Sequence, residues 1–140
     1  MVSNARAGIG IGLLAGIALS LLLVLMATAP AQAQTAEECQ AEIAQARALL
    51  TDTTNPDYVD SFTNEKDRTG LIGKLDSASS KLLQGKTQDA LANLISVSDK
   101  VGTLVAQGKL DPADSEVLLA AVNEAIACVE GLQAQTSTAV

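Results

Sequence analysis

The chain has 140 residues and a net charge of −7, with no histidine, no tryptophan, one tyrosine and one phenylalanine. The missing histidine excludes Ser-His and Cys-His catalysis, and the acidic balance argues against nucleic acid or an anionic lipid surface as partner, since both need a basic face. Length sets one domain as the expectation, and few aromatics among abundant Ala, Leu and Val favour helices over a sheet.

The N-terminus reads as an export segment. Arg6 supplies a short positive region, residues 9–26 run without a charge, and Ala31-Gln32-Ala33 forms an A-x-A site that cuts between Ala33 and Gln34. Residues 1–33 are thus expected to be a signal peptide. The apolar run is also long enough to span a bilayer as an uncleaved anchor, although Gly8, Gly10, Gly12 and Gly16 dilute its first half. No lipobox precedes Cys39, because Glu37 and Glu38 stand where small residues are needed. From Gln34 onward eight basic residues face sixteen acidic ones, a balance of −8.

The helical domain is expected over residues 34–132. Thr35-Ala36-Glu37-Glu38 is a capping box. The helix behind it carries a stripe at Cys39, Ile43, Ala46 and Leu50 and ends near Thr51. Residues 51–63 form a connector, broken by Asn55-Pro56 and longer than most helix connections. It contains Tyr58 and Phe62, which either fold back to close one end of the core or contact a partner.

A second helix starts near Asn64. Its stripe is Leu71, Leu75, Ala78 and Leu82, widened by Ile72 and Leu83, and Gly85 stops it. Thr87 is expected to cap a third helix, with Asp89 in its first turn and a stripe at Ala90, Leu94, Val97, Val101, Leu104 and Val105 up to Gly108. Asp111 caps a fourth, with Pro112 at its first position. Val117, Leu118, Ala121, Val122, Ala125, Cys128, Val129 and Leu132 line the inner face of that helix. Residues 133–140 read as a polar, disordered tail. Two turns share a glycine-lysine step, Gly85-Lys86 and Gly108-Lys109, but unequal lengths argue against a repeat array.

Cys39 and Cys128 are the only thiols. In an up-down-up-down bundle the first and fourth helices are antiparallel neighbours. The start of one and the end of the other then meet at the same end, and both cysteines lie on apolar stripes. A structural disulfide follows, worth about 4 kcal/mol in the chain-entropy model. A redox or metal pair is the alternative, without a C-x-x-C step or histidine to support it. An intermolecular bond or two buried thiols remain the other options.

No nucleophile has a base, no glycine-rich phosphate loop is present, and no cofactor is expected. Asp52, Asn55, Asp57 and Asp60 share the connector. They read as a solvated acidic loop or, alternatively, a calcium site, but their spacing does not match an EF-hand.

From Leu71 on, the chain resembles the FIMAH-type domain, a small helical module of secreted bacterial proteins. The resemblance rests on Leu71, Lys74-Leu75, Ala78, Leu82, Gly85, Ala90, Leu94, Val101, Leu104, Gly108-Lys109-Leu110, Leu118, Ala121 and Ala125-Ile126. Val97 stands where the family pattern has an aromatic, and the cysteine pair is an addition. The resemblance spans residues 71–126 and implies an extracellular or cell-surface accessory domain without a catalytic residue.

The expectation is therefore an all-α, disulfide-stapled four-helix bundle behind a signal peptide. Its expected role is that of a non-catalytic interaction or adhesion module, secreted, periplasmic or at the cell surface, whose partner is a protein or polysaccharide. The alternative is a membrane-anchored structural subunit of an envelope complex, which requires the N-terminal segment to be retained.

Overall fold

A computed structural model describes residues 34–138; residues 1–33, with the Ala33 side of the expected cleavage site, lie outside them. Among the described residues there are four helices and no strand: α1 (Ala36–Thr51), α2 (Glu65–Leu83), α3 (Thr87–Ala106) and α4 (Pro112–Thr138).

Local chemistry sets the helix ends. The Thr35 hydroxyl accepts from the Glu38 amide at 3.2 Å, and the Glu38 carboxylate accepts from the Thr35 amide at 2.9 Å, completing the capping box. Asn64 caps α2 by accepting from the Lys66 amide at 2.9 Å. Asp111 caps α4 by accepting from the Ala113 amide at 2.8 Å. Each satisfies an amide that the first turn would otherwise leave without a partner.

The two glycine-lysine steps turn out to be the same device. After α2, the Gly85 amide donates to Leu82 and the Lys86 amide to Lys81; after α3, the Gly108 amide donates to Val105 and the Lys109 amide to Leu104. Both are Schellman closures, which need a left-handed residue. Gly85 and Gly108 supply it at φ 74° and 68°.

The helices close in a ring. α1 packs on α2 and α4, α3 packs on α2 and α4, and in neither diagonal pair do Cα atoms approach within 8 Å. The shared core is aliphatic, built on Ile43, Leu50, Leu71, Leu75, Leu94, Val97, Val101, Leu104, Leu118, Val122 and Val129, all within 2 % of full burial. Each such side chain contributes about 1.5–3 kcal/mol by leaving water. The Cys39–Cys128 disulfide joins the start of α1 to the distal half of α4, with Cα atoms 5.4 Å apart across a separation of 89 residues. A loop of that length gives about 4–5 kcal/mol in the chain-entropy model. Both cysteines are bonded, which excludes the free-thiol and intermolecular options.

Four expectations change. Lys86, not Thr87, is the residue at the α3 boundary, and it makes no side-chain cap bond: the Schellman closure hands the chain straight into α3, where the Lys86 carbonyl accepts from Ala90. Leu83 is 74 % exposed. It shares a flank of α2 with the half-buried Ile72 but is the last helical residue, projecting past the core. Val117 is 38 % exposed: the inner stripe runs through Ser115 and Leu118, and Val117 lies roughly 100° round the helix from Leu118, on the flank. The Ser115 hydroxyl is satisfied by donating to the Pro112 carbonyl at 2.6 Å. Finally, α4 continues to Thr138 where the sequence pattern places a tail. After Leu132 no proline or glycine interrupts Gln133-Ala134-Gln135, all compatible with a helix.

By length and composition, residues 112–135 of α4 could cross a membrane. Their burial argues for a core helix: Ser115, Leu118, Val122, Ala125 and Val129 form one inner stripe at steps of three and four, with Glu116, Glu124 and Glu130 exposed.

The glycines make a sharp test. Gly85→Ala and Gly108→Ala should each lower stability by about 1 kcal/mol, because alanine is strained at positive φ. Gly73→Ala, in the exposed interior of α2 with nothing within 4 Å of the new methyl, should raise it by about 0.5–1 kcal/mol. Chemical denaturation of the three variants checks both signs.

Candidate functional site

Residues 52–64 are the one long connection in the bundle, and their order comes from short polar links. The Asp52 carboxylate accepts from the Thr54 amide at 3.0 Å and the Thr54 hydroxyl at 2.6 Å. Asn55 repeats the motif, its side-chain oxygen accepting from the Asp57 amide at 3.0 Å and its carbonyl from the Tyr58 amide. Asn and Asp favour such turns because a side-chain oxygen mimics a backbone acceptor. The loop then folds back: the Val59 amide donates to the Leu49 carbonyl at 2.8 Å, and the Val59 side chain is fully buried.

Beyond Val59 the loop is stitched to the α3–α4 turn. The Thr63 amide donates to the Lys109 carbonyl at 3.0 Å, the Asp111 amide to the Ser61 hydroxyl at 3.1 Å, and the Ser61 amide to the Asp114 carboxylate at 3.3 Å. Four chain segments are thereby held at the bundle end opposite the disulfide.

Arg68, in the first turns of α2, clamps this arrangement. One guanidinium nitrogen donates to the Tyr58 hydroxyl and another to the Val59 carbonyl at 3.2 Å, while Glu65 lies 3.3 Å away. The guanidinium also lies over both aromatic rings, 5.1 Å from the Tyr58 centroid and 5.3 Å from that of Phe62. Its side chain is only 13 % exposed. Tyr58 and Phe62 are thus brought together by one cation and are half-buried, with Phe62 packed against the edge of the core. The plug that fills the core end is Val59. On the α2–α3 side, Asp67 makes an ion pair with Lys100 at 3.5 Å.

The loop carboxylates do not assemble into a metal centre. Asp52 and Asn55 spend side-chain oxygens on their own turns, and among the described residues no group of three His, Cys, Asp or Glu side chains could hold an ion. Asp52 has its pKa lowered from the ordinary value by the Thr54 hydroxyl and then by the Thr54 amide, because both hydrogen bonds favour the charged form.

Comparison with protein-family models, with curated proteins and with solved structures gave no match.

Two tests follow from this geometry. Arg68→Lys keeps the charge but loses the planar fork. Arg68→Ala should cost about 2 kcal/mol through lost charged hydrogen bonds and ring contacts. In both variants the Val59 amide should exchange with solvent faster, on the order of tenfold for Arg68→Ala, while α3 amides keep their protection. Unchanged Val59 exchange would show that Arg68 does not hold the loop.

Asp52 should titrate below its ordinary value in an NMR pH series, and Thr54→Val should move it back up. A lowered folded pKa stabilises the fold above the unfolded value, and that contribution disappears as pH falls through the folded value. The turn should therefore loosen on the acid side, and less so in Thr54→Val.

Proposed function

We propose that the protein is a non-catalytic interaction module of the cell envelope or extracellular space. The observation that carries this reading is the buried intramolecular disulfide, a bond that forms and persists in oxidising compartments. The export-like residues 1–33 support it, as does the resemblance of residues 71–126 to FIMAH-type domains, which are accessory modules of secreted bacterial proteins.

The chemistry of the chain points the same way. Histidine is absent from the whole sequence. Three of the polar groups gathered at the loop are committed to holding the backbone: Asp52 to Thr54, Ser61 to Asp111, Arg68 to Val59. An ordered loop on a rigid scaffold is a common place for partner contacts. The partner is a protein or a polysaccharide, and the outer edges of Tyr58 and Phe62 are the proposed contact.

A membrane-anchored subunit of an envelope complex is the second reading, favoured by the long uncharged run at residues 9–26. Intact mass separates the two. A mature chain beginning at Gln34 excludes the anchor; a chain retaining residues 1–33 supports it.

Crosslinking of the tagged protein in its native envelope, with mass spectrometry of the adducts, tests the module reading. One dominant partner is expected. Tyr58→Ala with Phe62→Ala should lower its recovery about tenfold, or about 1.4 kcal/mol, with the helical circular dichroism retained. Undiminished recovery by a folded double variant would remove the aromatic pair from the contact. No partner of either class would overturn the module reading.

A further inference from the structure

The seam between α1 and α4 is closed by the disulfide at one end and open at the other. At the open end a groove of about 310 Å³ lies between the two helices and the loop. Ala48, Leu49, Val117 and Ala121 supply apolar lining, and Asp57 and Glu124 bring carboxylates to it. The volume sits at the small end of ligand-binding cavities, so it suits one long side chain better than a multi-ring ligand. Val117 is one of the few large apolar side chains left exposed. The Asp57 and Glu124 carboxylates make no ion pair or hydrogen bond among the described residues.

The charge around the groove is strongly one-sided. α1, residues 52–64 and α4 together carry ten carboxylates and one basic residue, whereas α2 and α3 carry five of each. The single basic residue on the acidic side, Arg47, is turned to α2, where it pairs with Asp76 at 2.7 Å. Among the described residues, nothing cationic in the groove lining answers Asp57 and Glu124.

We propose that this groove receives a lysine or arginine side chain from a basic segment of a protein partner. The proposal rests on the interaction-module reading and narrows it to a partner class and a surface. A basic side chain matches both features: its methylene stem covers Leu49 and Val117, and its charged head meets the rim carboxylates. An anionic segment is repelled by the same carboxylates, and a polymer of neutral or acidic sugars has no cation to offer them. The surrounding acidic field adds long-range attraction, so association is salt-dependent.

The probe is a labelled, end-blocked peptide of alternating lysine and leucine, with a glutamate-leucine peptide as its charge-reversed counterpart, read by fluorescence anisotropy on the full disulfide-bonded chain. Wild type should bind the lysine peptide and not the glutamate one. Asp57→Asn with Glu124→Gln should weaken binding about tenfold or more. Glu116→Gln with Glu130→Gln, which removes the same charge outside the groove, should change it less than about twofold. All four positions are exposed, so the fold is retained. Absence of lysine-peptide binding, or equal loss in the two double variants, overturns the groove. The native-envelope crosslink separates this failure from the broader one. A partner recovered equally well by the Asp57/Glu124 variant rejects the groove and leaves the module reading standing, whereas no partner for any variant rejects both.

Discussion

The Cys39–Cys128 bond is the constraint on which the rest of the structure depends. In the four-helix ring, α2 and α3 are joined by a tight Schellman turn, as are α3 and α4. α1 has no such neighbour: it reaches α2 through residues 52–64 and leans mainly on α4, far away in the chain. Bringing such distant segments together costs loop-closure entropy before any contact rewards it. A covalent link across 89 residues removes much of that cost from the unfolded chain. It matters here because the core has no fully buried aromatic to add large area.

Closing one end covalently changes what the other end must do. There the chain relies on Val59 as a plug, on Arg68 gripping two rings and a carbonyl, and on hydrogen bonds from residues 61–63 to the α3–α4 turn. These weaker, directional links leave the α1–α4 seam open beside the loop. Ordered loop, apolar groove and unanswered carboxylates therefore lie together, on the side of the bundle that carries most of the acid.

The helices were legible in the sequence because their signals are local. A capping box, an Asp-Pro start and two glycine stops mark boundaries through neighbours a few residues away, and stripes at three-and-four spacing name most of the core. The disulfide was legible too, because topology alone brings Cys39 and Cys128 to one end. The misplacements have equally physical causes. Val117 and Ser115 differ by little more than half a turn, and hydrophobicity alone points to the wrong one, since a hydropathy pattern scores serine as polar even where its hydroxyl is satisfied three residues back at the Pro112 carbonyl. Leu83 continues the flank of Ile72 but overruns the core. At the loop, Tyr58 and Phe62 drew notice by residue type, whereas Val59 and Arg68 hold it through contacts that no periodicity encodes. The groove and the segregation of charge appear only once α1 and α4 are side by side.

The role of the disulfide at the seam is tested most directly by native-state hydrogen exchange on oxidised and reduced protein. In the oxidised form α1 should be protected to nearly the same degree as α2–α4. On reduction, α1 amides should exchange by a separate, lower-energy opening while α2 and α3 keep their protection. Protection lost together in all four helices, or left unchanged in α1, would contradict the disulfide's place as the closure of the α1–α4 seam.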